Sequence, residues 1–241
     1  MSSIRLYVPG LCLETTALDP QESHHARHVL RVRPGDSVVV FDGAGQEGSA
    51  IIGEANRETV KIEVQSLFRR DFDVAFRLTL AVAMGKTHRQ GYLIEKCTEL
   101  GVAAFWPIIV DRSVTKPGDN ATKRYRKRAI EAAKQSQRAW IPQVQPARGF
   151  GDMIVQRRSI ESAYLADTLD GLSPFSEILT AMPPNPEFLV AIGPEGGWTD
   201  DERTRATDAG FVPVSLVPTT LRTETAAVAV CAAAATILSS R

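Results

Sequence analysis

Residues 187–202, EFLVAIGPEGGWTDDE, decide how this chain folds. Phe188 to Ile192 is a continuous apolar run, the pattern of a strand buried on both faces. Gly193-Pro194-Glu195-Gly196-Gly197 stops it, and Thr199 before Asp200, Asp201 and Glu202 is a capped, acid-rich helix start. A buried strand handed through a glycine turn to a helix is half of a strand–helix–strand unit. The same rhythm extends in both directions. Residues 77–84 (RLTLAVAM) read as a buried strand ending at Gly85, and residues 90–100 as a helix with Tyr92, Ile94, Cys97 and Leu100 at helical spacing, stopped by Gly101. Residues 104–110 read as a second strand and residues 125–140 as a helix closed by Ile141-Pro142. Ser162–Ala166 is a short strand, residues 211–216 are the last one, and a loop through Arg222 leads to an Ala-rich C-terminal helix. Such alternation predicts an α/β domain with a mostly parallel sheet and helices on both faces.

The first 70 residues have a different texture. Val38 to Phe41 is a β-branched run stopped by the hairpin chemistry of Asp42-Gly43-Ala44-Gly45; residues 50–53 and 59–64 follow as strands. Asp19-Pro20-Gln21-Glu22 starts a helix through His24, His25, Arg27, His28 and Leu30 that stops before Pro34-Gly35. Phe68-Arg69-Arg70-Asp71 reads as a linker, so the expected domains are 1–72 and 73–241.

The 241 residues include 44% hydrophobic and 23% charged side chains, which excludes global disorder. Cys12, Cys97 and Cys231 are too few and too scattered for a disulfide framework or zinc ribbon, so a reducing, cytoplasmic setting is expected. The N-terminus shows no apolar signal segment, and residues 226–238 are too short to span a bilayer. Net charge is zero, but it is sorted: residues 73–149 carry 14 basic and 6 acidic side chains, against 6 and 12 in residues 150–241. Residues 123–138 set seven cations against Glu131 alone. This reads either as a solvated helix face or as a surface for a polyanion.

The glycine loop exposes backbone N–H groups at the carboxyl end of a strand, where open α/β sheets bind ligands. No Walker lysine follows and GxGxxG is not matched, so it is no P-loop. Three glycines with a proline imply close approach of something to the backbone, as an adenosine-type ligand would make. Leu221-Arg222-Thr223-Glu224-Thr225-Ala226 is a second strand-to-helix junction, with Thr223 as the expected cap and Arg222 either a surface residue or a phosphate or carboxylate contact. Lys96 and Glu99 read as an ion pair or as site residues. Gln135, Ser136 and Arg138 beside Trp140 suit phosphate, ribose and a stacked base, though Trp140 equally suits core packing. His24 and His28 lack a third ligand, so no metal is expected; with Arg27, Arg31 and Arg33 they read as a basic face for phosphates or as satisfied surface histidines. No G-x-S-x-G or activated cysteine is present.

Several ordered motifs together resemble one family. His25-x-x-His28-Val29-Leu30-Arg31, Gly35-Asp36 and Phe41-Asp42-Gly43 are similar to the N-terminal, PUA-type RNA-binding barrel of the bacterial 16S ribosomal RNA uridine-N3 methyltransferases, the RsmE family of the SPOUT class. Glu95-Lys96-Cys97-Thr98-Glu99-Leu100-Gly101, Asp111-Arg112-Ser113-Val114 and residues 131–138 resemble its next blocks. The junctions at Gly193 and Leu221 resemble its two cofactor motifs. The resemblance implies a small PUA-like β-barrel, a C-terminal α/β SPOUT domain with a deep trefoil knot, and a homodimer packed through that domain. It implies methyl transfer from S-adenosylmethionine to N3 of one uridine in 16S rRNA of the small subunit. The alternative is a non-catalytic RNA-binding or ribosome-assembly protein that keeps the fold. Leu165, Ile192, Gly193, Pro194, Gly196, Gly197, Leu216, Leu221 and Thr223 are the expected cofactor residues. Arg222 and Glu195 are the catalytic candidates, Arg222 for the developing anion and Glu195 as proton acceptor or, preferred, as a helix cap. RNA contacts are expected at His28, Arg31, Arg33, Lys86, Arg112, Gln135, Ser136 and Arg138. The chain departs from the family at Val217 and Thr219, where glycine and arginine are usual; a Cβ at Val217 disfavours positive φ.

Overall fold

A computed structural model describes residues 4–56, 59–85 and 87–239. The chain divides into two compact units, Met1–Asp73 with Ala133–Ile141, and Val74–Ala132 with Pro142–Arg241.

The first unit is a five-stranded mixed sheet with one helix. Its strands are β1 (Arg5–Tyr7), β2 (Thr15–Ala17), β3 (Ser37–Phe41), β4 (Gln46–Ala55) and β5 (Val60–Arg69), in the order β1-β3-β4-β5-β2. The hairpin after β3 forms as its residues demand: the Asp42 carboxylate accepts from the N–H groups of Ala44 and Gln46, and Gly43 and Gly45 take φ of 75° and 96°. Helix α1 (Pro20–His28) is capped by Asp19, whose side chain accepts from the Glu22 N–H. It ends two residues earlier than expected, because Arg31 turns into the left-handed region at φ 57°. The expected linker at Phe68 and Arg69 is instead the end of β5, paired with Glu47 and Gln46. A register shift at Ser49/Ala50 hides that continuation from a period-of-two reading.

The second unit is a seven-stranded, wholly parallel sheet. Its strands are β6 (Arg77–Ala83), β7 (Ala104–Ile109), β8 (Gln143–Val144), β9 (Arg148–Gly149), β10 (Ser162–Ala166), β11 (Glu187–Ile192) and β12 (Phe211–Val214). They run β12-β10-β11-β6-β7-β8, with β9 also against β7. Helices α2 (Thr87–Glu99), α3 (Ala121–Gln135), α4 (Phe150–Arg157), α5 (Phe175–Ala181), α6 (Asp200–Asp208) and α7 (Thr223–Leu238) complete the chain. Alternate strand residues face opposite layers. Ala81, Ala83, Leu165, Leu189 and Ala191 pack with Phe150 and Met153 of α4 and Ala206 of α6. Tyr164 and Phe188, of opposite parity, meet Phe175 of α5. The predicted parallel sheet with helices on both faces is therefore present.

The helix expected over 125–140 is displaced: α3 spans Ala121–Gln135. Gln137 at φ 60° closes it, with the Arg138 N–H bonded to the Ala133 carbonyl at 3.0 Å. The last strand ends at Val214 rather than Leu216. Among the described residues, no helix is long and apolar enough to cross a membrane.

Candidate active site

Three strand ends in the second unit deliver loops to one cavity of about 220 Å³. β10 contributes Ala166, Asp167 and Thr168; β11 contributes Ile192 through Trp198; the segment after β12 contributes Leu216, Val217, Thr219, Thr220, Leu221 and Thr223. All lie at the carboxyl edge of the sheet, because parallel strands place every such end on one side. Of the expected cofactor residues, Ile192, Gly193, Pro194, Gly196, Gly197, Leu216, Leu221 and Thr223 line this cavity. Leu165 does not: it is wholly buried in β10, packed in the core, and its neighbours Ala166 and Asp167 face the cavity instead.

The glycines of the loop have internal reasons. A Cβ on Gly193 would lie 3.0 Å from the Trp198 indole, one on Gly196 would lie 3.3 Å from Cβ of Arg112, and Gly197 takes φ 69° to close a turn onto the Pro194 carbonyl. At Gly193 and Gly196 the protein's own side chains already stand close to the backbone. Trp198 locks the loop: its indole N–H donates to the Ala166 carbonyl at 2.9 Å, and its ring packs at 5.9 Å from Phe150. Arg112 donates from Nη1 to the carbonyls of Gly196 (2.8 Å) and Trp198 (3.2 Å). Its structural position is therefore against the glycine loop.

Helix α6 begins with a full capping box, Thr199 and Glu202 satisfying each other's backbone N–H groups. Glu202 also accepts from the Asp111 N–H at 2.9 Å, tying the helix start to the loop after β7. Glu195 is not the cap. It is an exposed cavity residue whose carboxylate stands 3.5 Å from Arg89, and Arg89 reaches Glu224 of α7 at 3.4 Å. Thr223 is not a cap either. Arg222 holds the N-cap position, while the Thr223 hydroxyl donates to the Gly193 carbonyl at 3.0 Å and stitches the two junctions together. The Arg222 side chain is exposed and makes no capping bond, between two cavity-lining neighbours. Val217 lies in the wall, 42% exposed; among the described residues, positive φ outside glycine occurs at Arg31, Gln137 and Asn185, so its Cβ creates no strain.

Asp167 and Arg203 carry no motif yet shape one wall. Arg203 Nε donates to the buried Asp167 carboxylate at 2.7 Å, and this bond holds the guanidinium pKa above its ordinary value. The available signal was positional: Asp167 directly follows a strand predicted to end at the ligand-binding edge. Lys96 pairs with Glu99 at 2.8 Å and Glu95 at 3.0 Å, which raises the ammonium pKa, first through Glu99, and fits the ion-pair reading.

The expected RNA contacts separate into groups. His28, Arg31 and Arg33 are exposed at the end of α1 and just beyond it, and the rings of His24 and His28 lie 4.4 Å apart, tilted by 37°. Gln135 is exposed and Ser136 half-buried. Arg138 corrects its assignment: it is 4% exposed, its Nε bonded to Asp73 at 3.2 Å, and a buried, neutralised guanidinium offers nothing to a phosphate. Trp140 is half-buried, donating to the Asp71 carbonyl with Arg69 over its ring. Lys86 lies outside the described residues. Among the described residues, no group of three or more His, Cys, Asp or Glu side chains is arranged to hold a metal ion.

A family model for an RNA methyltransferase domain matches residues 73–235, and one for an RNA methyltransferase PUA domain matches residues 18–65. The ribosomal RNA small subunit methyltransferase E of Mycobacterium tuberculosis is 35% identical over 234 residues, covering 93% of this chain and 87% of that protein. The chain belongs to the ribosomal RNA small subunit methyltransferase E family. The Bacillus subtilis member is 31% identical over 220 residues, covering 88% of this chain and 86% of its own. The crystal structure of a family member from Neisseria gonorrhoeae, bound to S-adenosyl methionine, superposes with a TM-score of 0.87 at 29% identity, covering 96% of both chains. The family's two-part organisation is the one seen here, an N-terminal sheet followed by a parallel-sheet domain.

Proposed function

We propose that this protein methylates small-subunit (16S) ribosomal RNA, with S-adenosylmethionine as methyl donor and N3 of a uridine as acceptor. The observation that carries the reading is the cavity at the carboxyl edge of β10, β11 and β12, on a chain whose gonococcal relative binds that donor. The lining fits a nucleoside. Ile192, Leu216, Leu221 and Trp198 supply apolar wall for a flat base, while Asp167, Thr168, Thr219, Thr220 and Thr223 supply polar groups for a ribose. When bound, the donor supplies an activated methyl group; the remaining work falls to the chain.

N3–H of uridine is a weak acid, so the site has to position N3, accept its proton and stabilise the imide anion. Arg222, exposed beside the cavity and uncommitted to capping, is assigned the anion. Glu195, a carboxylate on the rim, is assigned the proton; Arg89 stands 3.5 Å from it and orients it. N3 lies on the Watson–Crick edge, so the target is an unpaired or flipped uridine. We assign RNA recognition to residues 1–72, through exposed His28, Arg31 and Arg33, and methyl transfer to residues 73–241.

The finer architecture follows the family. Register shifts in β4, irregularities of the kind that curve a sheet, support a PUA-like barrel for the N-terminal unit. The Thr223–Gly193 stitch brings the returning 216–223 segment against the loop after β11, as a trefoil knot needs. Half-buried Val228, Ala229, Ala232 and Ala233 on α7 suit close helix approach in a homodimer. We place the protein in the cytoplasm, with its ribosomal substrate.

The test uses small subunits from cells lacking this protein, incubated with it and methyl-labelled S-adenosylmethionine. Nucleoside mass spectrometry then shows labelled 3-methyluridine. Cofactor binding without any methylated nucleoside in the subunit overturns the substrate and points to another RNA; no cofactor binding at all favours the assembly-protein alternative.

A further inference from the structure

The cation-rich run that begins in α3 is split by the structure. At its far end Lys134 and Arg138 are spent in buried ion pairs, with Glu22 at 2.7 Å and Asp73 at 3.2 Å. The front of the helix differs. Ala121, Tyr125 and Ala129 form its buried stripe, and Lys123, Arg124, Arg126, Lys127 and Arg128 are all exposed. At 3.6 residues per turn, Lys123 and Lys127 stack one turn apart on the outward side, and Arg124 and Arg128 form a second row beside them. Like charges at that spacing repel and weaken a helix, so folding does not select them. Neighbours temper the second row: Arg124 donates to Gln90 at 3.1 Å and Arg128 stands 3.5 Å from Glu95. Lys123 and Lys127 enter no ion pair among the described residues.

The second row also leads to the cavity. Gln90, which accepts from Arg124, donates to the Gly85 carbonyl at 2.7 Å. A Cβ on Gly85 would lie 3.4 Å from the Glu195 carboxylate, and Arg89 on the same helix turn is bonded to that carboxylate. Hydrogen bonds therefore run from the face of α3 through Gln90 to the Gly85 backbone, which lies beside Glu195 at the rim, within one compact unit.

We propose that the outward face of α3 is a track for the RNA backbone, with Lys123 and Lys127 each contacting a phosphate of the strand that carries the target nucleotide. The proposal rests on the reading of RNA as substrate and adds where, on the methyltransferase unit itself, its phosphates go. Lysines supply flexible point charges without a planar fork, so this contact is sequence-independent and positions the strand; choice of the nucleotide belongs to the cavity.

The test compares full-length wild type with the Lys123→Gln/Lys127→Gln double variant on unmodified small subunits, measuring affinity against salt and steady-state methylation. Each lost phosphate contact flattens the slope of log affinity against log salt by about 0.7 to 0.9. The double variant is expected to bind about tenfold more weakly at low salt, with a slope shallower by about 1.4 to 1.8. It is expected to raise KM, leave kcat intact and bind S-adenosylmethionine as wild type does. Lys123→Arg/Lys127→Arg restores binding. Arg158→Gln/Arg205→Gln removes the same charge from exposed positions elsewhere in the unit and leaves the slope unchanged. An unchanged slope in the lysine variant, or an equal loss in the arginine control, overturns the track while the methyltransferase reading stands. A wild type that neither binds nor methylates the subunits overturns both.

Discussion

Arg138 and Arg31 are the same letter in a basic sequence, and the structure gives them opposite work. Arg138 is buried against Asp73, whose carboxylate also accepts from the N–H groups of Ala139 and Trp140. Removing the cation leaves this nearly buried carboxylate to Arg70, 3.5 Å away and partly exposed, and to the two N–H groups, which costs about 1 to 3 kcal/mol. Arg138→Gln should therefore lower the denaturation midpoint sharply, whereas Arg31→Gln, at an exposed site, should shift stability by less than about 0.5 kcal/mol and weaken RNA binding. Equal stability of the two variants in urea titrations would remove the structural role of Arg138. Arg222 is likewise exposed. Its side chain makes no capping bond and its neighbours line the cavity, so Arg222→Ala should cut methyl transfer about 10²- to 10³-fold. Calorimetric affinity for S-adenosylmethionine should stay within a factor of two or so of wild type, since the cofactor walls are untouched. Full single-turnover activity in that variant takes Arg222 out of the chemistry.

Among the elements, the site depends most on how α6 starts. Thr199 alone supplies one cap bond, and Thr199→Ala should cost about 1 kcal/mol. Glu202 is 1% exposed and accepts from both the Thr199 and Asp111 N–H groups. Glu202→Ala strips both, so it should cost about 2 to 3 kcal/mol and also loosen the glycine loop, lowering cofactor affinity more than Thr199→Ala does. Thermal melts and calorimetry on the two variants check the order; a smaller loss in Glu202→Ala would refute it. This cap, like the strands Ser162–Ala166 and Glu187–Ile192, was legible in the sequence because local chemistry and burial agree there. The end of α3 was not. Gln137 takes the left-handed turn that glycine or asparagine ordinarily marks, so the only visible stop was Pro142. Strands β1 and β2, at three residues each, are too short to show any period. The site divides the same way: loops rich in glycine were readable, while Asp167 and Arg203 meet only because β10 and α6 fold together.

For the whole molecule, the compact N-terminal unit is not one continuous segment. It consists of Met1–Asp73 and Ala133–Ile141, and the second piece brings charges that the first has buried places for. Lys134 pairs with Glu22 at 2.7 Å, both side chains 7% exposed, and Glu22 also accepts from the Tyr7 N–H. Arg5 donates to the Arg138 carbonyl as well as to Glu47, and the Trp140 ring fills the space beside Gly45. Truncation after residue 73 removes at once the contacts that the 133–141 segment makes, while the Glu22–Tyr7 and Arg5–Glu47 bonds stay within the fragment. It leaves Glu22 without its buried cation, at several kcal/mol against a domain stability of about 5 to 15 kcal/mol, and Asp73 with Arg70 alone. A fragment of residues 1–73 should therefore lack a cooperative thermal transition by circular dichroism, although its sheet carries most of the unit's apolar core. Glu22→Leu in that fragment should recover part of the transition, because an apolar group needs no partner where a carboxylate does. In the full chain the same substitution strands Lys134 and should destabilise. A wild-type fragment melting as sharply as the intact protein would mean that the 133–141 segment only decorates a unit complete without it.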